Sequence, residues 1–196
     1  IGAGSTYREL LDSELLQERY PVLIETVAGI ADLQVRNRGT IGGGLAHADP
    51  ASDTPALMLA LHASFTLRSK SGRRSVPARE FFLGAFSTAL REDELLTDIV
   101  LPPLPRKAGA AHVTFEQKAS GYAIAAATAV VTRKGKTFGS ALVAVTGVGD
   151  RAYLASVDAV VGLRNDDDAG LDSALWGLTA GIEVNGDIHA TAEYRA

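Results

Sequence analysis

The residues best suited to chemistry lie in one run, Val35-Arg36-Asn37-Arg38-Gly39-Thr40-Ile41-Gly42-Gly43-Gly44-Leu45-Ala46-His47-Ala48-Asp49-Pro50-Ala51-Ser52-Asp53. Three consecutive glycines remove every Cβ from a stretch of backbone, so a ligand can approach the main chain and the chain can take positive φ. Successive N–H groups facing one concavity would make an anion nest suited to a pyrophosphate, and the Thr40 hydroxyl would add a donor. A bare Gly-Gly-Gly also reads as a flexible surface turn, but Ile41 and Leu45 bracket these glycines with apolar anchors that a linker lacks. The common phosphate motifs do not fit. No Gly-Lys-Ser/Thr follows, and Gly2-x-Gly4 has Tyr7 where a dinucleotide fingerprint needs its third glycine.

Other candidates are sparse. Asp53, before Thr54-Pro55, reads equally as a helix cap or a ligand contact, and Asp49-Pro50 as a turn. His47 reads first as a polar loop residue and second as a cofactor contact. Leu96 reads as core that can also touch a ligand. Arg73-Arg74 reads as a solvated hairpin face, and Tyr194-Arg195 as an anchor for the end of the chain. Glu116 and Lys118 have no readable catalytic partner, and no Ser/His/Asp set or acid pair is legible. The chain has no cysteine, which excludes disulfides, thiol catalysis and cysteine-ligated zinc or iron–sulfur sites on it. Its four histidines, His47, His62, His112 and His189, show no close ligand spacing, so no metal site is expected.

The elements that would position these residues follow from caps, breakers and periodicity. Thr6 and Glu9 have capping-box spacing at the start of a helix over 7–12, and Pro21 opens a second helix whose apolar side is Val22, Leu23, Ile24, Val27, Ala28 and Ile30. Residues 34–52 read as a polar, glycine-rich loop. A third helix starts near Pro55, capped by Asp53 or Thr54. A hairpin turns at Lys70-Ser71-Gly72, and 94–101 is a strand ended by Pro102-Pro103. Residues 105–110 read as a linker between a unit over 1–104 and another over 111–196. The second unit opens with a strand at 112–115, then a buried strand over 122–132, a turn at Lys134-Gly135-Lys136 and a returning strand over 140–148. Helices are expected over 157–163 and 174–182, with an acidic loop at 165–168 between them. Hairpins without regular βαβ alternation place the fold in the α+β class. The opening Ile1-Gly2-Ala3-Gly4 reads as the end of a strand, so the chain is expected to start inside a larger domain.

Composition narrows the function classes. Hydrophobic residues make up 46%, charged residues 21%, and the formal net charge is −4, the balance of a globular protein. Lys and Arg are scattered, which leaves no nucleic-acid footprint and no polybasic membrane anchor. No apolar stretch is long enough to span a bilayer and no signal-peptide pattern is present. A cytoplasmic location is expected.

The run Arg36-Asn37-Arg38-Gly39-Thr40-Ile41-Gly42-Gly43-Gly44, with Ala48-Asp49-Pro50-Ala51-Ser52-Asp53 after it, resembles the second FAD motif of molybdenum hydroxylase flavin subunits of the xanthine dehydrogenase and carbon monoxide dehydrogenase type. The likeness continues in order through Arg74-Ser75-Val76-Pro77, Glu80-Phe81-Phe82-Leu83-Gly84, Asp93-Glu94-Leu95-Leu96, Gly121-Tyr122-Ala123-Ile124-Ala125 and Ala192-Glu193-Tyr194-Arg195. It implies the second subdomain of a PCMH-type FAD-binding fold, followed by a small α+β domain like the C-terminal domain of carbon monoxide dehydrogenase flavoproteins. It implies that Thr40, Ile41, Gly42, Gly43 and Gly44 lie at the FAD pyrophosphate, His47 and Asp53 along the flavin and ribityl part, and Leu96 beside the ring system. It also implies that a large molybdopterin subunit and a small subunit with two [2Fe-2S] clusters are partners, with NAD, oxygen or another acceptor taking the electrons. Three positions depart from the family: Gly44 stands where Asn is usual, Gly121 where an acid is common, and Thr114 where Lys is common. The family's first glycine motif is expected upstream of Ile1. Two rival readings are an FAD-free assembly subunit bridging the large and small subunits, and a self-sufficient flavoenzyme.

Overall fold

A computed structural model describes residues 1–118 and 123–196. Gly121 and Tyr122, which the family resemblance includes, lie outside the described residues. The first part is helical: α1 (Tyr7–Leu11), α2 (Glu14–Arg19), α3 (Pro21–Gly29), α4 (Leu33–Arg38), α5 (Ile41–His47) and α6 (Asp53–Ala60). The capping box is present as the spacing predicts. The Glu9 amide donates to Thr6 Oγ1 at 3.2 Å, and the Thr6 amide donates to Glu9 Oε2 at 2.7 Å.

Next come β1 (Ser64–Ser69) and β2 (Gly72–Pro77), the expected hairpin, then α7 (Ala78–Phe81), β3 (Phe82–Gly84), β4 (Ser87–Thr88) and β5 (Leu95–Val100). Strands β2, β1 and β5 form an antiparallel sheet in that order, and β3 pairs with β4. The last part holds β6 (Ala108–Glu116), β7 (Ala123–Lys134), β8 (Thr137–Thr146) and β9 (Tyr153–Ala155), an antiparallel sheet in sequence order. A 3-10 turn (Asp158–Val160), α8 (Asp168–Leu175) and α9 (Ala192–Arg195) complete it. The mixture is the α+β arrangement expected.

Period-2 alternation gives the four-stranded sheet two distinct faces. The register pairs His112 with Thr128, Thr114 with Ala126, and Ala126 with Thr146. These residues share the face on which α6 packs, and Val130 and Ala144 of that face belong to the main core with Leu57, Met58 and Phe65. The opposite face carries Val143 and Val145 into a smaller cluster with Val157 and Val160. The main core therefore runs unbroken from Ala3 to Ala152.

Several expectations are corrected. Residues 34–52 are not a loop, since α4 and α5 occupy most of them. Glycine costs about 1 kcal/mol against alanine in a helix, so three weigh about 3 kcal/mol against α5. Ile41 and Leu45 are both fully buried, each contributing about 1.5–3 kcal/mol, and Thr40 caps the helix, so burial wins. The linker is half strand, because β6 begins at Ala108. Only a 3-10 turn forms within 157–163. The helix expected over 174–182 lies earlier, where the Gly170 amide donates to Asp167 Oδ1 at 2.9 Å. Arg73 is exposed as expected, but Arg74 is only partly so: its guanidinium grips Glu94 with two bonds of 2.7 Å and donates to the Ala89 carbonyl. Arg195 does anchor the chain end, donating to the carbonyls of Ile124 and Gly147 and to Asp187.

Candidate functional site

Thr40 is the N-cap of α5, and its Oγ1 accepts from the Gly43 amide at 3.0 Å. The preceding amides are also engaged: Ile41 donates to the Ser5 carbonyl at 3.0 Å and Gly42 to the Ala3 carbonyl at 2.9 Å. The glycine run is thus a helical first turn clamped against residues 3–5, not an open nest of N–H groups. Each glycine has its own reason. A Cβ on Gly42 would lie 2.6 Å from the Ala3 carbonyl oxygen and 2.8 Å from its Cα. A Cβ on Gly44 would run into the Tyr7 hydroxyl, which explains why no side chain stands there. Gly43 is exposed, and its Cβ would meet only Thr40 Oγ1, at 2.8 Å.

Past α5, Ala48 takes a left-handed φ of 52° and turns the chain toward α6. The Ala51 amide donates to Asp49 Oδ1 at 2.9 Å, and Thr146 of β8 donates to the carbonyls of Pro50 and Ser52 at 2.8 and 3.1 Å. This fixes the start of α6. Ser52, not Asp53 or Thr54, is the N-cap, and it makes no side-chain cap bond. Asp53 is the first helical residue, and its carboxylate turns to β6. Its Oδ1 accepts from Thr114 Oγ1 at 2.9 Å and lies 3.2 Å from His112 Nε2.

These elements enclose a groove of about 610 Å³, lined among others by Tyr7, Gly44, His47, Asp53, His112 and Thr114. That volume lies in the range of small-molecule and cofactor sites. The structure brings Gly44, His47 and Asp53 together here. Ile41 and Gly42 are buried in the core, Thr40 and Gly43 stand at the capped end of α5, and Leu96 lies on β5 opposite Leu67, half-buried against the main core. None of these five lines the groove. His47 packs its ring against Phe86, with centroids 5.0 Å apart.

The groove's charge constrains its occupant. Glu25, Asp49, Asp53 and Glu116 line it, with no lysine or arginine among the lining residues. Such a lining favours hydroxyl and N–H donors over anions. Burial pushes the Tyr7 phenol's pKa up; the Thr54 hydroxyl offsets this in part, and the Asp53 charge adds to it, so Tyr7 is a neutral phenol here. Sequence reasoning missed Tyr7 and His112 and named Thr114 only as a departure from the family's lysine. The signal for the last two was the alternation of β6, which sends 112 and 114 to one face. A second hollow of about 550 Å³, on the sheet's other face, is lined largely by apolar side chains such as Val113, Phe115 and Trp176 and holds no acid or histidine.

Residues 1–104 match the family described as the FAD binding domain in molybdopterin dehydrogenase. The carbon monoxide dehydrogenase medium chain of Afipia carboxidovorans is 38% identical over the whole of this chain and 68% of its own length. That of Hydrogenophaga pseudoflava is 41% identical over 78% of this chain and 53% of its own, so this chain spans between about half and two thirds of such relatives. Among solved structures, carbon monoxide dehydrogenase from Hydrogenophaga pseudoflava superposes with a TM-score of 0.93 at 36% identity, covering all of this chain and 68% of that one. Quinoline 2-oxidoreductase from Pseudomonas putida 86 matches with a TM-score of 0.93 at 31% identity, with the same coverage.

Proposed function

Because the chain belongs to the FAD-binding medium subunits of the molybdenum hydroxylase family, we propose that it holds the flavin-side part of an extended FAD in the groove between α5, α6 and β6. The observation that carries this reading is the convergence of His47 and Asp53, the two positions expected along the flavin and ribityl part, on one groove, with Gly44, expected at the pyrophosphate, also on its wall. Bound FAD would take electrons from iron–sulfur clusters of a small subunit, fed by a large molybdopterin subunit, and deliver them to NAD or another acceptor.

The chain's own residues bind and orient. Asp53 offers its carboxylate to cofactor hydroxyls, the acidic lining disfavours phosphate, and His47, its ring tilted 51° against Phe86, stands on the groove wall. Thr40 uses one oxygen lone pair to accept from the Gly43 amide and keeps its O–H to donate to the pyrophosphate, which passes the Cβ-free surface of Gly43. The resemblance puts Leu96 at the ring side, on β5 outside the groove lining. Residues 1–104 form the second FAD-binding unit, 105–107 the connection, and the residues from β6 onward a C-terminal unit that contributes His112 and Thr114 to the groove. Among the described residues no helix is long and apolar enough to cross a membrane.

A second reading, an FAD-free bridging subunit, is favoured by the engagement of the Ile41, Gly42 and Gly43 amides within the chain. One experiment separates the two. Full-length protein purified with flavin should show the visible absorbance of oxidised FAD, and Asp53→Ala should lower FAD affinity about tenfold or more, the loss of a charge-assisted bond. Folded full-length protein that takes up no FAD leaves only the bridging role.

A further inference from the structure

Beneath the groove lies a histidine that cofactor binding by Gly44, His47 and Asp53 does not explain. The His112 side chain is 4% exposed, and both ring nitrogens are engaged. Nδ1 lies 2.7 Å from Thr128 Oγ1, and Nε2 lies 3.0 Å from Thr114 Oγ1. Thr114 Oγ1 in turn lies 2.9 Å from Asp53 Oδ1. The proton directions follow from the inventory of donors. A carboxylate only accepts, and a threonine hydroxyl has one proton to give. Thr114 gives its proton to Asp53, so its oxygen accepts from His112, and Nε2 carries hydrogen. In the neutral ring Nδ1 then accepts from Thr128, whose residue is fully buried. Asp53 Oδ1 is therefore served by Thr114 with His112 Nε2 beside it, while Oδ2 makes no hydrogen bond among the described residues.

We propose that His112 is a positioning residue: through Thr114 it locks the Asp53 carboxylate by its Oδ1, leaving Oδ2 as the acceptor that the groove offers to a polyol hydroxyl. The ribityl chain of FAD is the chemistry that fits, because the other groove carboxylates, Glu25, Asp49 and Glu116, disfavour phosphate. This rests on the proposed function. Holding a carboxylate in one rotamer before the ligand arrives removes an ordering cost from binding.

The test is a double-mutant cycle on the full-length protein, reading the FAD dissociation constant by fluorescence and the thermal midpoint alongside. In the wild-type background, His112→Leu and the near-isosteric Thr114→Val should each weaken FAD binding about tenfold, and His112→Gln, which keeps an N–H donor, should recover most of the loss. In an Asp53→Ala background, His112→Leu and Thr114→Val should change FAD binding by less than about twofold, since the group they position is gone. An equal loss in both backgrounds, or no loss in Thr114→Val, overturns the inference and leaves FAD binding standing. Wild-type protein that binds no FAD overturns the proposed function, and the inference with it.

Discussion

Adjacent glycines in the same run do different work. Gly42 is a contact between two backbones: its amide bonds the Ala3 carbonyl, and its missing Cβ leaves room for that carbonyl. Gly42→Ala should cost about 3 kcal/mol by overpacking, lowering the thermal midpoint by roughly 6–12 °C for a chain of this size. Gly43 faces solvent, and a Cβ there disturbs only the Thr40 hydroxyl. Loss of the cap costs about 1 kcal/mol, while alanine in place of glycine returns about 1 kcal/mol of helix propensity. Gly43→Ala should therefore keep its midpoint within about 3 °C yet carry less FAD, because the Thr40 hydroxyl is displaced. Scanning calorimetry and flavin content of the two variants check this together; equal midpoints would contradict the Ala3 contact.

At the scale of elements, the β2–β1–β5 sheet has an ionic clasp at its rim. The bidentate Arg74 side chain holds the Glu94 carboxyl down to about 2 from an ordinary 4.5, with the Arg91 amide also bonding it. Glu94 is 5% exposed and Arg74 33%. A carboxyl depressed in the folded state stabilises the fold above its unfolded pKa, and that contribution is lost as pH falls. The gap in thermal midpoint between wild type and Glu94→Gln should be full above about pH 5 and shrink toward zero as pH nears 2. A gap unchanged over that range would mean that the pair contributes nothing through charge. Helix α5 makes a related point about context. Its sequence is poor for a helix, and it forms because Ile41 and Leu45 are buried one turn apart.

For the whole molecule, the loop leading into α6 joins the helical part to the four-stranded sheet. Thr146 is fully buried on β8 and donates to the Pro50 and Ser52 carbonyls, 96 and 94 residues away in sequence. Thr146→Val keeps the shape but removes the one hydroxyl proton shared between these carbonyls; Pro50 keeps the Gly147 amide at 2.8 Å, while Ser52 loses this donor, at a cost of about 1–3 kcal/mol. The midpoint should fall by roughly 2–12 °C, and FAD affinity should fall with it, because this loop sets the position of Asp53. Unchanged affinity at a lowered midpoint would show that the groove does not depend on the stitch.

Much of this was legible from local chemistry. The capping box at Thr6 and Glu9, the Pro21 helix start, the turn at Lys70-Ser71-Gly72 and the breaker at Pro102-Pro103 act over a few residues, so sequence alone determined those elements and the α+β class. The ordered series of motifs from Arg36 to Arg195 was enough to indicate the family, and that resemblance named Gly44, His47 and Asp53 among eight cofactor positions. What needed tertiary structure was every decision between distant segments. Whether the glycines form a nest or a helical turn depends on Ala3 and Ser5 taking their amides and on the core accepting Ile41. Whether Asp53 caps α6 or faces β6 depends on Thr114, 61 residues away. A strand's alternation shows that 112 and 114 share a face, but only the pairing of β6 with β7 and the packing of α6 on that sheet decide which face looks into the groove.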